Sequence, residues 1–216
     1  MEQPINAAYE RCTIKYPLGS SKDVLNYYDT WATQYDDDLK TMGSKAPEIV
    51  AERAAQITSE DQKKCFKILD LSAGTGLGGV ALRHVGFLGD IYALDGSKEM
   101  LKYAKNKHVY SEVTESIVTT STPLPYNDNS FDLIIGIGCF GKNMIQPDCF
   151  QDIMRVLKSG CYFVTSLRMH SLVQDYSDLF EKELLLRESD GSLKVIYYTA
   201  TIPTIPVGKR HFGKES

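Results

Sequence analysis

Apolar residues along the chain fall into two alternating patterns. Short continuous runs bounded by polar or turn residues occur at Phe66 to Leu71, Asp90 to Leu94 and Phe131 to Ile137, the pattern of strands buried on both faces. Between them, apolar positions recur about one helical turn apart. Leu77 to Val85 reads as a helix after the first strand. After the second strand Ser97 stands as an N-cap, with Met100, Leu101 and Ala104 facing inward. Glu115 to Thr119 is a weaker strand candidate. Pro147 opens a further helix in which Phe150, Ile153, Met154 and Leu157 recur at i, i+3, i+4 and i+7, and Gly160 stands where that helix would end. A last buried run covers Cys161 to Leu167. Strands alternating with helices predict an α/β fold, a Rossmann-like, doubly wound and mostly parallel sheet.

The flanks add to this frame. Residues 20–58 read as helical, with Pro47 at a helix start and Ile49, Val50, Ala54 and Ile57 on one face, and are expected to cap the sheet from the N-terminal side. Downstream, Leu172 to Arg187 reads as a helix, Asp190-Gly191 as a turn and Leu193 to Ile202 as a strand ending at Pro203. The expected organisation is one domain over 1–216, with a cap at 20–58, a ligand-binding core at 66–168 and a substrate side at 169–216.

Charge and cysteine content narrow the function classes. Lys and Arg number 24 against 28 Asp and Glu, a net charge of −4 with no basic block, so nucleic acid is not an expected partner. The 5 cysteines contain no CxxC pair, which fits reduced thiols in the cytoplasm or nucleus. No run has the length of a signal peptide's apolar core or of a membrane span, so a soluble monomer away from membranes is expected. Metal chemistry is not expected. His84, His108, His170 and His211 lack ligand spacing, and Asp36-Asp37-Asp38 reads as a solvated helix start. Of the histidines, His170 alone falls near the expected active-site edge. Cys139, Lys142 and Asn143 follow the fourth strand, on the edge where open α/β sheets bind ligands.

The chemistry concentrates at Ile68-Leu69-Asp70-Leu71-Ser72-Ala73-Gly74-Thr75-Gly76-Leu77-Gly78-Gly79, a strand that runs into a glycine turn and a helix. Gly74, Gly76 and Gly79 satisfy G-x-G-x-x-G, with Asp95 about 20 residues on as the matching acid, so a dinucleotide site is one reading. Asp70 favours another. A carboxylate at the strand's end suits a cationic ligand better than a pyrophosphate, which prefers a helix N-terminus free of acids. An acid at the second strand's end, Asp95, suits a ribose because a carboxylate accepts from two hydroxyls at once, the competing role being a helix cap.

The loop resembles motif I of the class I methyltransferases, with Ser72 standing where the family usually has its first glycine. Ile91 to Ser97 resembles motif II, Thr122 to Ile135 the segment through motif IV, and Arg155 to Gly160 the turn before strand five. Tyr28-Asp29-Thr30-Trp31-Ala32-Thr33-Gln34-Tyr35, with Ala46-Pro47, is similar to the opening segment of the Williams-Beuren syndrome region methyltransferase-like proteins, the methyltransferase-like protein 27 group. The resemblance implies S-adenosyl-L-methionine as cofactor and S-adenosyl-L-homocysteine as product. It places Asp70, Ser72, Ala73, Gly74, Thr75 and Gly76 around the cofactor, Asp95 and Gly96 at its ribose, and Met100 against its adenine. Thr120 and Ser121 stand where many relatives carry an acid for the adenine amine. Gly136 and Ile137 would line the far side, and Tyr28 and Tyr35 would cover the site, aromatic faces being able to hold a sulfonium. Trp31 divides between that role and core packing. No catalytic side chain is assigned. The acceptor is unidentified, a small molecule being favoured over a protein, and the chain lacks the Asn/Asp-Pro-Pro-Tyr motif of many amino-group methylases. An NAD(P)-binding oxidoreductase and a non-catalytic S-adenosylmethionine-binding protein are the alternatives.

Overall fold

The computed structural model describes residues 2–13, 18–167 and 174–194. Helices α1 (Glu2–Thr13), α2 (Ser21–Trp31), α3 (Tyr35–Thr41), α4 (Ala46–Gln56) and α5 (Glu60–Cys65) precede β1 (Ile68–Leu71). Then follow α6 (Leu77–His84), β2 (Ile91–Asp95), α7 (Lys98–Asn106), β3 (Glu112–Glu115), β4 (Phe131–Ile137), a 3-10 turn at Pro147–Cys149, α8 (Phe150–Val156), β5 (Leu157–Ser166) and α9 (Gln174–Ser189). The strands form one sheet in the order β3-β2-β1-β4-β5, every pairing parallel. Chain order reverses between β1 and β4, so the carboxyl ends of these two strands diverge around a crevice.

Strand alternation sorts the core onto two faces. Leu69 and Leu71 of β1 and Ile134 of β4 point to one side, with Phe150 and Ile153 of α8 and Tyr176 and Phe180 of α9. Ile68, Leu133 and Ile135 point to the other, against Val50, Ala51 and Ala54 of α4 and Ala81 and Leu82 of α6. Helices thus cover both faces, as a parallel sheet requires, and the expected Rossmann-like, doubly wound parallel sheet with an N-terminal helical cap is what the chain adopts. No helix among the described residues is long and apolar enough to cross a membrane.

Some boundaries differ from expectation. The third strand lies at Glu112–Glu115, not at Glu115 to Thr119. Pairing with Tyr92 to Asp95 fixes it there, and the apolar pair Ile117-Val118 that attracted the assignment falls beyond the strand, Ile117 being half exposed. Gly160 does not end a helix. Helix α8 stops at Val156, and β5 starts at once with a bulge, Phe131 pairing with Leu157 but Leu133 with Tyr162. Gly160 supplies a φ of +74° in the added residues. The expected helix from Leu172 is described from Gln174 onward. Helices α1 and α5 were not anticipated. The expected strand from Leu193 to Ile202 lies, from residue 195, outside the described residues, as do His170 and His211.

Candidate functional site

The crevice at the ends of β1 and β4 opens into a cavity built from three parts of the chain. The loop after β1 contributes Asp70, Ser72, Ala73, Gly74, Thr75, Leu77 and Gly78. The end of β4 contributes Ile137 and Gly138. The cap contributes Tyr28, Tyr35, Leu39, Ser44, Ala46 and Pro47. Sequence reasoning named Tyr28, Tyr35, Asp70, Ser72, Ala73, Gly74, Thr75 and Ile137 among these. It missed Leu39, Ser44, Leu77, Gly78, Gly138 and the start of α4, although Leu77 and Gly78 fell inside the glycine motif and Ala46-Pro47 carried a family resemblance that marked the last of these.

Backbone conformation explains why the loop reads as it does. Ser72, Gly74 and Gly76 alternate at φ of +57°, +55° and +90°. Ser72 takes up a left-handed conformation that costs a non-glycine residue about 1–2 kcal/mol, at the position where a glycine was expected. A Cβ on Gly74 would meet nothing within 4 Å, so the loop leaves open space there.

Two carboxylates brace this loop. Asp70 is 2% exposed. Its Oδ2 accepts a hydrogen bond of 2.7 Å from the Tyr110 hydroxyl. Burial pushes its pKa up to about 7, against the hydrogen bond from Tyr110 and the pull of the nearby Gly79 amide, with the negative charge of Asp95 adding to the rise. Asp95 accepts the Gly74 amide on Oδ2 and the Ser97 amide on Oδ1, each at 2.8 Å. Burial raises its pKa too. The cap of α7 is Ser97, whose Oγ accepts the Met100 amide, so Asp95 does not serve as that cap. It ties the end of β2 to the loop and keeps lone pairs for further donors.

The remaining candidates separate in space. Gly96 borders Ile117 and Leu25. Met100 is buried on α7. Gly136 sits inside the sheet, its carbonyl accepting the Thr165 hydroxyl. Gly76 packs on Tyr110. Thr120 and Ser121 lie in an exposed turn where the Thr119 and Ser121 hydroxyls meet at 3.2 Å. None of these lines the cavity. Cys139 is buried, with burial pushing its thiol up, so it holds no thiolate at neutral pH. Lys142 is exposed, and the Asn143 side chain donates to the Leu18 carbonyl.

The acidic run is not a solvated helix start. Asp38 is 5% exposed and accepts from Arg11 Nε, Arg11 Nη2 and Trp31 Nε1, each at 2.6 Å. Asp36 accepts the Thr75 hydroxyl and pairs with Lys107 Nζ at 2.7 Å. Only Asp37 is exposed. Helix α2 adds a third anchor, Asp29, which accepts the Ser97 hydroxyl and the Glu99 amide. Trp31 is 3% exposed and stacks edge-on to Tyr35 at 4.7 Å between centroids. It backs Tyr28 and Tyr35 and does not line the cavity. Among the described residues no group of three His, Cys, Asp or Glu could hold a metal ion.

This geometry agrees with the comparisons. Residues 69–165 match a methyltransferase domain family. The chain is 29% identical over 168 residues to methyltransferase-like protein 27 of Homo sapiens, covering 77% of this chain and 66% of that protein. It is 30% identical over 167 residues to a demethylmenaquinone methyltransferase of Paenarthrobacter aurescens, covering 76% and 62%. The chain thus spans less than two thirds of the length of these relatives. Among solved structures, a putative S-adenosyl-L-methionine-dependent methyltransferase from Methanococcus maripaludis superposes with a TM-score of 0.51 at 23% identity, over 76% of this chain and 75% of that one.

Proposed function

From the match to a methyltransferase domain family and a sheet like that of S-adenosylmethionine-dependent methyltransferases, we propose that the chain is a class I methyltransferase, which binds S-adenosyl-L-methionine in the crevice between β1 and β4 and transfers its methyl group to an acceptor. The observation that carries this reading is the Asp70 carboxylate, buried with no cationic partner among the described residues, beside a loop with open space at Gly74. A buried acid held near its titration point is stabilised by a cation, and the cofactor presents an ammonium and a sulfonium. A pyrophosphate fits poorly. The Gly79 amide in the first turn of α6 is already given to the Tyr110 hydroxyl, and the two acids beside the loop repel phosphate.

In this reading Asp70 receives the ammonium group and Asp95 accepts from the ribose hydroxyls. Tyr28 and Tyr35 close over the cofactor, and Met100 supports the adenine from behind. The cofactor, when bound, supplies a methyl group already activated for transfer. The chain's task is alignment and exclusion of water, which the cap performs by covering the crevice. Residues 20–58 act as this cover and 66–168 as the cofactor-binding core. The acceptor side falls to 169–216, together with the loop after β4. The apolar and tyrosine lining suits a small organic acceptor. Calorimetric titration with S-adenosylmethionine, S-adenosylhomocysteine and NADH tests the proposal. Binding of the first two and not the third is expected, and tight binding of NADH alone refutes it.

A further inference from the structure

We propose that Tyr110 is a positioning residue for cofactor capture, its hydroxyl fixing the Asp70 carboxylate in the orientation and charge state that receives the cofactor's ammonium group. This rests on the methyltransferase reading above and assigns a residue outside every motif of the sequence analysis. Tyr110 lies between α7 and β3, and its ring sits directly on the loop after β1 and the first turn of α6. A Cβ on Gly79 would approach three Tyr110 atoms at 2.5, 2.6 and 2.7 Å, and one on Gly76 would come within 2.9 Å of the ring. Two of the three glycines whose spacing mimics a dinucleotide motif, Gly76 and Gly79, are therefore the footprint of this ring.

The hydroxyl is used twice. Its oxygen accepts the Gly79 amide at 3.1 Å, and its single proton goes to Asp70 Oδ2 at 2.7 Å. The Gly79 amide fixes the direction of that proton, because a phenol has only one to give. The positive end of α6 is relayed through the phenol onto the carboxylate. The other groups facing Asp70 are the Asp95 carboxylate from β2, whose charge opposes ionisation, and the Cys139 thiol after β4. Burial keeps both Cys139 and Tyr110 in their neutral forms. Tyr110 is thus a side-chain donor that favours ionised Asp70, acting with the Gly79 amide against burial and Asp95.

The test follows the Asp70 carboxyl carbon by NMR in the ligand-free protein, its signal identified by its loss in Asp70→Asn. It should titrate near pH 7. Tyr110→Phe keeps the ring that fills the space and removes only the donor, so the midpoint should rise by roughly one pH unit. Replacement of Tyr110 by 3,5-difluorotyrosine, a stronger donor, should move it the opposite way, which structural damage does not do. Calorimetry with S-adenosylhomocysteine should follow the same order, with affinity at pH 7 falling about fivefold in Tyr110→Phe as the ionised fraction drops. In Asp70→Asn, Tyr110→Phe should no longer shift the pH profile. An Asp70 midpoint that ignores both Tyr110 replacements overturns the inference while leaving the methyltransferase reading intact. Midpoints that move as expected in a protein that binds no S-adenosylhomocysteine at any pH overturn the proposed function and leave the Tyr110–Asp70 coupling standing.

Discussion

Gly79→Ala sets two physical rules against each other. Gly79 lies inside α6 at an ordinary helical φ, so propensity alone predicts that alanine stabilises the helix by about 1 kcal/mol. The structure predicts the opposite. The new methyl group would stand 2.5–2.7 Å from Tyr110, well inside contact distance. The ring has no easy retreat, because it also lies against Gly76 and its hydroxyl is held by Asp70 and the Gly79 amide. Overpacking of this kind costs about 1–3 kcal/mol. If the ring is expelled instead, the hydrogen bond to a charged acceptor is lost, worth about 1.5–3 kcal/mol. Less the helix gain, the net is a destabilisation of about 1 kcal/mol, or roughly 2–4 °C in Tm for a chain of this size. Urea and thermal denaturation followed by circular dichroism measure it. In a Tyr110→Leu background the clash is relieved and Gly79→Ala should become neutral or stabilising, a coupling that a double-mutant cycle isolates. An alanine variant more stable than the unsubstituted protein, with Tyr110 in place, would falsify the packing argument.

Asp95→Ala should weaken S-adenosylhomocysteine binding by about 1–3 kcal/mol through lost charged-acceptor hydrogen bonds; an unchanged Kd in a folded variant removes the ribose role. Asp38 is held below the usual carboxylate range chiefly by its hydrogen bond from Arg11, so its contribution to stability is present above the unfolded pKa of about 3.9 and is lost as pH falls through the lower folded value. Asp38→Asn should accordingly be less stable than the parent at pH 7, with the gap closing in acid, and a gap independent of pH counts against the pairing. Hydrogen exchange across residues 20–45 should slow on addition of S-adenosylhomocysteine, with a change in Trp31 fluorescence; equal protection with and without ligand would show the cap to be a fixed cover.

What could be read from the sequence was what is local. Strands β1, β2 and β4 stood out because burial on both faces leaves an unbroken apolar run, and the glycine loop because its backbone demands are written in consecutive residues. Edge strand β3 carries Glu at both ends, half exposed to water, so its position is set by pairing with β2 and not by its own pattern. The bulge opening β5 is likewise a property of the pair β4–β5. Tyr110, Leu39 and Ser44 escaped notice because the topology brings them to the loop from more than 20 residues away. Asp36 and Asp38 looked solvated because their partners, Thr75, Lys107 and Arg11, are equally remote. Trp31 had divided between cover and core. The hydrogen bond that its indole nitrogen donates to Asp38 places it in the core of the cap.

The anchors of the cap also fix an order of events while the chain is being made. Asp29 must wait for Ser97, and Asp36 for both Thr75 and Lys107, contacts separated by 68, 39 and 71 residues. Synthesis proceeds from the N-terminus at roughly 5–20 residues per second, so α2 and α3 emerge several seconds before the surface that fastens them exists. During that interval Tyr27, Tyr28, Trp31 and Tyr35 have one another and the Arg11–Asp38 pair to shelter them. Arg11, Trp31 and Asp38 lie within 27 residues, close enough to assemble as soon as they leave the ribosome. The Arg11–Asp38 pair, only its carboxylate buried, is thus the tie available to hold the aromatic face together until β1, α6 and α7 arrive to receive it.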